Sequence, residues 1–348
     1  MSDAAKPLLS VEDLKVSFPV LGGVLRRRVG EVRAVDGVSF AVHPGEVLGL
    51  VGESGSGKTT VGRAILNILR PMSPDVVLGG HIHFDSRDGQ IDVNGLRPRR
   101  MRPHRSELAM IFQDPYASLN PRMTIGQIIE GPLAIHTKLD KAERQSRVLE
   151  LLDRVGLASQ YAGRYPHEFS GGQRQRVGIA RALATRPKLI VADEPVSALD
   201  VSVQAQVINL MAELRSEFGL TYIFIAHDLS VVHHISDRIA VMYLGEIVEL
   251  GEASEVYRAP RHPYAKALLS AVPKADPGAD RSHRTRLTGD IPSPLAKPSG
   301  CSFRTRCPMA VERCAQATPK LEDHGNGHLV ACPEVRSAKP GPGRLQEE

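Results

Sequence analysis

A glycine-rich stretch, "GESGSGKTT", places a lysine and two hydroxyl groups at the end of a series of glycines. Residues 52–59 fit the pattern G-x-x-x-x-G-K-[ST], with the apolar run "VLGLV" before them and a helix-like apolar period after them. Glycines let successive backbone N–H groups curl around a β-phosphate without Cβ clashes, and a helix N-terminus adds its dipole. Lys58 can then reach the β- and γ-phosphates, and Thr59 can offer its hydroxyl to Mg²⁺. The spacing predicts a nucleoside triphosphate site, and a chance glycine turn is the weaker alternative.

A pair of carboxylates follows another short apolar run in "PKLIVADEP". We expect Leu189–Ala192 to form a buried strand, with Asp193 and Glu194 at the sheet edge where ligands bind in open α/β sheets. Asp193 suits the Mg²⁺ shell, and Glu194 could orient or deprotonate an attacking water. An ordinary strand that ends in an acidic turn would give the same letters, but the glycine loop upstream favours the catalytic interpretation.

A second candidate phosphate cradle occurs in "HEFSGGQRQRVGIARAL". Ser170, Gly171 and Gly172 precede an amphipathic helix, and a capped helix N-terminus of this kind favours anions. A plain capped helix is the alternative. Two cradles in one chain are difficult for a single nucleotide to use within one subunit.

The order of these motifs resembles the ATPase cassette of ABC transporters over about residues 8–258. "GESGSGKTT" is similar to its Walker A motif, "SGGQ" to its signature, "LIVADE" to its Walker B motif and "SALD" to its D-loop. Gln113 in "MIFQDP" resembles the Q-loop glutamine, and His227 in "FIAHD" resembles the switch histidine. The family places two cassettes head to tail, with ATP between the Walker A loop of one and the signature of the other, which would explain the two cradles.

The resemblance implies a role for each matching residue. Those implied to contact ATP are Phe18, Gly52, Ser54, Gly55, Gly57, Lys58, Thr59, Thr60, Ser170, Gly171, Gly172, Gln173 and Asp200. Those implied in catalysis are Glu194, His227, Lys58 and Gln113, and those implied to hold Mg²⁺ are Thr59, Gln113 and Asp193. Two assignments keep an alternative, because Phe18 could equally be a core residue and His227 a packed residue at a strand end.

Stretches beyond the cassette motifs narrow the resemblance. "QDPYASLNPRMTIGQIIEGPL", "HPYAKALLSAVP" and "SPLAKPSGCSFRTRCPMA" resemble the ATP-binding subunits of oligopeptide and dipeptide importers, a group whose related branch also handles nickel. The implied partners are a second cassette (a paralogue or a copy of this chain), two transmembrane permeases and an extracytoplasmic peptide-binding protein, with no nucleic acid. The implied location is peripheral, at the cytoplasmic face of the inner membrane.

The resemblance also implies the fold and its division. We expect an α/β P-loop ABC-type domain over residues 1–260, with a RecA-like core, an antiparallel β subdomain and a helical signature subdomain at about 114–185. Within that subdomain, residues 126–165 have the apolar period of helices, with Val148, Leu151, Leu152 and Val155 as core. Residues 261–348 would form a small cysteine-rich extension, after a linker over 273–300. Between the first two strands, "VLGGVLRRRVGEVRAV" is expected to be a solvated loop, and a position of its basic run near lipid headgroups or a permease is the alternative.

Composition bounds the function classes. The 348 residues carry a net charge of +5, which is weak support for binding nucleic acid or an anionic membrane. We expect no secretory signal, and no apolar run approaches the roughly 20 residues of a spanning helix. The alternative from another class is a soluble ABC ATPase that is not coupled to transport. Such proteins usually carry two cassettes or a long coiled coil, and this sequence shows one cassette and no heptad run.

All four cysteines of the chain lie near its end, with the spacing C-x5-C-x6-C-x17-C. Four thiolates can hold a [4Fe–4S] cluster or Zn²⁺. Zinc sites usually contain a tight C-x2–4-C pair, which this spacing does not offer, and the resemblance implies an iron–sulfur cluster. Zinc, two disulfides and four free thiols stay as alternatives. The members of the set are Cys301, Cys307, Cys314 and Cys332.

Overall fold

Two β-sheets with helices packed on them form the part of the chain that the structure, a computed structural model, describes: residues 6–23, 27–271 and 289–335. The strands are β1 (Leu9–Gly22), β2 (Arg27–Val42), β3 (Val47–Val51), β4 (Val77–Ser86), β5 (Gly89–Asp92), β6 (Leu108–Ile111), β7 (Leu189–Asp193), β8 (Thr221–Ala226), β9 (Arg238–Tyr243), β10 (Glu246–Glu252), β11 (Glu322–Asp323) and β12 (Leu329–Val330). The helices are α1 (Lys58–Ile65), α2 (Leu69–Met72), α3 (Pro98–Met101), α4 (Ile125–His136), α5 (Lys141–Arg154), α6 (Gly171–Leu183), α7 (Val201–Phe218), α8 (Leu229–Ile235), α9 (Ala253–Arg258) and α10 (Pro263–Ala271).

The larger sheet has the strand order β11-β12-β10-β9-β3-β8-β7-β6 within the described residues. Strand β3 pairs in parallel with β8 and β9, and β7 pairs in parallel with β8 and β6. Strands β3, β7 and β8 are buried at every position, as expected for parallel strands that are covered on both faces. The strands predicted from "VLGLV" and "LIVA" are confirmed. Because parallel strands end at the same edge, the chain segments that follow β3, β6, β7 and β8 meet there.

The smaller sheet is antiparallel, in the order β2-β1-β4-β5. Its first two strands form a long hairpin in which Leu21 pairs with Arg28 and Gly22 with Arg27. The expectation of a solvated loop over "VLGGVLRRRVGEVRAV" is therefore wrong for most of that segment, because the strands continue through it to Gly22 and from Arg27. Backbone pairing between neighbouring strands keeps these partly exposed residues extended. Arg26 lies outside the described residues.

Helices α4, α5 and α6 lie within the region predicted as the helical subdomain, and each follows a residue that caps it. Thr124, Asp140 and Ser170 each accept a hydrogen bond from the backbone N–H three residues later and complete a capping box. The predicted helices are confirmed. The four apolar residues expected in their core are all buried: Val148, Leu151, Leu152 and Val155.

The C-terminal extension continues the larger sheet. Strand β12 pairs antiparallel with β10, and β11 pairs with β12, so these two short strands lengthen the sheet at one edge. Phe303, which is 1% exposed, belongs to the main hydrophobic core. Most of the predicted linker lies outside the described residues, and 289–300 carries no helix or strand. The predicted boundary at residue 260 stays a prediction.

Candidate nucleotide site

The glycine loop follows β3 and leads into α1 at the centre of the larger sheet. Gly57 lies before the helix at φ +102°, and a Cβ there would meet the Ala34 carbonyl oxygen at 2.2 Å. A Cβ on Gly52 would meet the Met242 carbonyl oxygen at the same distance. Side chains are therefore excluded at both glycines by neighbouring backbone as well as by the path of the loop.

The Lys58 side chain lies inside this loop, only 4% exposed. Its ammonium donates hydrogen bonds to the carbonyl oxygens of Gly52 at 2.7 Å and Glu53 at 2.9 Å. Burial lowers the pKa of Lys58, although the carboxylates of Glu194, Asp193 and Glu53 act in the opposite direction. The loop thus holds a cation at its centre while Ser54 and Gly55 are exposed and Thr60 is half-buried.

Two oxygen donors of the kind that Mg²⁺ prefers lie side by side at the start of α1. The Thr59 hydroxyl donates a hydrogen bond of 2.8 Å to a carboxylate oxygen of Asp193 at the end of β7. Asp193 is 2% exposed, and burial raises its pKa. Both groups fit a magnesium ion, because a bound cation would stabilise the charged form of this buried carboxylate.

The Glu194 side chain, after β7, contacts residues of the segments that follow β6 and β8. The Glu194 backbone has φ +46°, and its N–H donates to the Ile225 carbonyl oxygen at 2.9 Å. The Gln113 amide donates to its carboxylate at 3.0 Å, and His227 Nδ1 lies 3.4 Å from the same oxygen. Gln113 follows β6 and His227 follows β8, so the sheet edge brings these sequence-predicted residues together. A left-handed backbone at a non-glycine residue is strained, and such strain is often found at functional sites.

The signature residues lie at the N-terminus of helix α6. Ser170 caps the helix, accepting from the Gln173 N–H at 3.3 Å, while the Gln173 side chain accepts from the Ser170 N–H at 3.0 Å. A Cβ on Gly172 would meet Val203 of α7 at 2.5 Å, so the signature packs closely on that helix, which begins after Asp200. None of these described hydrogen bonds reaches the glycine loop. Ser170 and Asp200 are exposed.

Phe18 lies in β1 opposite Val32, half-buried against the core between the two sheets. Its exposed part is compatible with stacking on a base, and its buried part with a packing role. Both interpretations of Phe18 stay predictions.

Three side chains that sequence reasoning missed attach the segment after Gln113 to the signature helix. The Arg174 guanidinium lies 4.0 Å from the ring centroid of Tyr116, and Arg181 donates to the Ser118 carbonyl oxygen at 2.7 Å. Arg174 and Arg181 are two helical turns apart on α6, so they present similar faces. The sequence signal that could have revealed this contact is the seven-residue spacing of the two arginines, together with the tyrosine in the turn after Gln113.

The four cysteines lie in one neighbourhood of the extension and form no disulfide. The Cys301 N–H donates to the Cys314 carbonyl oxygen at 2.7 Å. Burial, with smaller contributions from the other three thiols, raises the pKa of Cys301 to about 11. Burial also raises the pKa of Cys307 and Cys332, again with neighbouring thiols contributing. Among the described residues, which include all four cysteines, no group of three or more His, Cys, Asp or Glu side chains is arranged to hold a metal ion. The predicted iron–sulfur cluster has no support from this arrangement.

None of the described helices combines the length and the apolar composition needed to cross a membrane.

Comparison with known proteins gives two family matches. The model for ABC transporters matches residues 35–197, and the model for the C-terminal region of oligopeptide/dipeptide transporters matches residues 248–314. The oligopeptide transport ATP-binding protein AppF of Bacillus subtilis is 51% identical over 93% of this chain and 96% of its own length. The dipeptide transport ATP-binding protein DppF of Haemophilus influenzae is 49% identical over 94% of this chain and 96% of its own length.

Solved structures agree with the fold. The ATP-binding cassette MJ0796, a dimer in a post-hydrolysis state bound to ADP and Pi, has a TM-score of 0.59 and 28% identity, covering 70% of this chain and 98% of its own. The cbiO1 protein of Clostridium perfringens, part of the ABC transporter complex cbiONQ, has the same TM-score and identity over 73% of this chain and 91% of its own. The predicted ABC-type α/β fold is confirmed.

Proposed function

This chain belongs to the ATP-binding subunits of ABC-type oligopeptide and dipeptide transporters, and on that premise we propose that it hydrolyses ATP to drive the import of peptides. The ABC transporter match supports the ATPase part of the proposal, and the match of residues 248–314 to the oligopeptide/dipeptide region supports the peptide part. The relatives named for oligopeptide and dipeptide transport cover nearly the whole chain, which includes the cassette and the extension.

The observation that carries the ATPase proposal is the setting of the Glu194 carboxylate. It accepts from Gln113 at 3.0 Å, lies 3.4 Å from His227, and has a side chain that is 15% exposed. We assign Glu194 as the group that aligns and deprotonates the attacking water, with His227 and Lys58 stabilising charge on the transferring phosphoryl. Thr59, Asp193 and Gln113 would hold Mg²⁺, which neutralises charge on the phosphate oxygens when bound. The remaining Walker A residues, with Phe18, would hold the nucleotide.

The signature is assigned to a second cassette's nucleotide. Ser170, Gly171, Gly172 and Gln173 present an exposed or half-exposed helix N-terminus, and their hydrogen bonds stay within α6. An exposed helix N-terminus can receive the γ-phosphate of a facing subunit, with Asp200 beside it. Two cassettes, this chain and a paralogue or a copy of itself, would close around two ATP molecules. The dimeric form of the related cassette MJ0796 supports this arrangement.

The transport assembly follows from the same membership. We assign two transmembrane permeases and an extracytoplasmic peptide-binding protein as partners, and a peripheral position at the cytoplasmic face of the inner membrane. The exposed side chains of Phe112 and Tyr116, beside Gln113, offer a contact surface that a permease helix could use. Closure of the cassettes would then move the permeases.

A pull-down tests the transport assignment. The tagged chain is recovered from native membranes in mild detergent without oxygen, and the proteins that accompany it are identified by mass spectrometry. Two polytopic permeases and a second cassette are the expected result. Ribosomal or DNA-repair proteins, or no membrane protein, would shift the assignment to a soluble ABC-class ATPase.

For the cysteines we propose a [4Fe–4S] cluster, with zinc as the alternative. The support is the family resemblance and donor chemistry, because an all-thiolate set suits iron–sulfur clusters or Zn²⁺. The arrangement of the described side chains adds no support. Anaerobically purified protein is expected to be brown, with broad absorbance at roughly 400 nm and iron in excess of zinc. Colourless protein loaded with zinc would reverse the assignment, and metal-free protein would remove it. The set is Cys301, Cys307, Cys314 and Cys332.

A further inference from the structure

The second residue of the Walker A loop, Glu53, is held at three points. Its carbonyl oxygen accepts from Lys58 at 2.9 Å, its N–H donates to the Tyr264 hydroxyl at 2.8 Å, and its carboxylate accepts two hydrogen bonds from Arg306. Lys58 belongs to the loop itself. Tyr264 and Arg306 belong to the part of the chain after residue 260. The C-terminal extension therefore contacts the phosphate-binding loop directly, at both its backbone and its side chain.

The Arg306–Glu53 pair is bidentate and largely buried. One guanidinium nitrogen lies 2.7 Å from one carboxylate oxygen, and the other nitrogen lies 3.1 Å from the second oxygen. The Arg306 side chain is 6% exposed and the Glu53 side chain 26%. Two parallel hydrogen bonds between planar groups fix orientation as well as distance. The pair joins residues 253 positions apart in sequence, so it can form only when the extension is docked.

Arg306 and Tyr264 pack against a cluster of aromatic rings. Phe303 contacts Tyr243 with ring centroids 5.2 Å apart and Tyr264 at 5.4 Å, and Tyr243 lies 4.7 Å from Tyr264. The Arg306 guanidinium lies 5.9 Å from the ring centroid of Tyr243, and the Arg306 backbone N–H donates to the Phe303 carbonyl oxygen at 3.0 Å. These rings belong to the main core, so the arginine is mounted on a rigid base.

The negative charge of Glu53 explains why the Walker A loop needs a cation such as Arg306 beside it. A nucleoside triphosphate brings several negative charges to this loop, and Glu53 adds another beside the carbonyl that holds Lys58. Two like charges close together repel strongly where water is partly excluded. Arg306 is the cation that pairs with the Glu53 carboxylate, so it cancels the repulsion that Glu53 would exert on the phosphates.

We propose that the C-terminal extension is part of the nucleotide site, with Arg306 a positioning residue that neutralises Glu53 and fixes the start of the Walker A loop for ATP binding. This proposal rests on the proposed ATPase function and deepens it. Arg306 acts through Glu53 and has no assigned contact with the nucleotide. Its effect is therefore on affinity for ATP and ADP, with a smaller effect on the turnover of bound ATP, for which Glu194 and His227 are responsible.

The test compares three variants of the full chain by titration with a fluorescent ATP analogue. Arg306→Met keeps an unbranched apolar stem and removes the charged guanidinium, and we expect nucleotide affinity to fall about tenfold or more. Glu53→Gln in that background removes the uncompensated carboxylate and is expected to restore most of the affinity. Arg304→Met is the matched control, because Arg304 is half-buried and its guanidinium bonds to Ser299 in its own segment.

Folding and metal content are measured in parallel, by thermal unfolding and elemental analysis. Arg306→Met that folds normally and binds nucleotide as tightly as the wild-type chain would overturn the proposal. Failure of Glu53→Gln to restore affinity would also overturn it, because Arg306 would then serve packing alone. A wild-type chain that binds no nucleotide would instead remove the proposed ATPase function.

Discussion

His262 is a buried imidazole at the start of the C-terminal extension, and acid should destabilise the protein through it. The residue is 1% exposed, and its ring Nδ1 accepts a hydrogen bond from the Tyr264 N–H at 3.1 Å. Burial, with a smaller contribution from Lys266, lowers the pKa of His262 to about 3. In the unfolded chain the same imidazole titrates at about pH 6.5. It therefore stays neutral in the folded protein over a range of pH in which the unfolded chain takes up a proton.

The size of this loss of stability follows from the difference between the pKa of His262 in the folded and in the unfolded chain. The full stability is present above about pH 6.5, and it falls as the pH drops toward 3 because the unfolded chain binds the proton that the folded chain refuses. Between pH 7 and pH 5, this one residue should remove about 2 kcal/mol from the free energy of unfolding.

Urea unfolding at pH 7, 6 and 5 measures this loss. His262→Asn is the informative variant, since its amide oxygen can accept the Tyr264 N–H and does not titrate. The wild-type chain should lose about 2 kcal/mol more than this variant between pH 7 and pH 5. His234→Asn is the control, because His234 is exposed on α8, and it should keep the wild-type dependence. The reasoning is refuted if the wild-type chain and His262→Asn lose stability equally as the pH falls.

Three further outcomes follow from the nucleotide site. Glu194→Gln should still bind ATP but hydrolyse it at least about 100-fold more slowly, measured by phosphate release, and near-normal turnover would exclude Glu194 as the base. Gly57→Ala should weaken nucleotide binding about tenfold or more, because its Cβ would lie 2.2 Å from the Ala34 carbonyl oxygen at φ +102°. Gly55→Ala, at φ +80° with no atom within 4 Å of its Cβ, should lose less, and an equal loss in both would contradict the steric argument. Ser170→Ala should lose about 1 kcal/mol of stability with its helix cap and slow hydrolysis by the assembled pair, and unchanged thermal unfolding and hydrolysis would contradict both roles.

The strands that carry the site could be predicted from the sequence because their physical signals are local. Leu189–Asp193 and Thr221–Ala226 are short apolar runs that fit buried parallel strands, and polar residues follow each of them. Parallel strands must end at one edge, so the convergence of Gln113, Glu194 and His227 follows from the order of the motifs. The helix caps were predictable for the same reason, since Ser170 and Gln173 lie within one turn of each other.

The architecture of the extension could not be predicted in this way. Strands β11 and β12 contain two residues each, too few to show any period, and they are extended because β10 offers a free edge. The Arg306–Glu53 pair depends on that docking and leaves no trace in either local segment. The long hairpin was missed for a related reason: residues around Gly22 and Arg27 are glycine-rich and charged, and their strand conformation comes from pairing with each other.

The cysteines flank the segment of the extension that forms the Arg306–Glu53 pair. Cys307 follows Arg306 directly, and Cys301 lies two residues before Phe303, so the thiols bracket the segment that reaches the Walker A loop. The Cys301 N–H bond to Cys314 ties that segment to the rest of the extension. Because Cys307 is the direct sequence neighbour of Arg306, we expect a change in the arrangement of the thiols to shift Arg306 relative to Glu53. The thiols therefore lie close in sequence to Arg306, the residue of the extension that pairs with Glu53 of the Walker A loop.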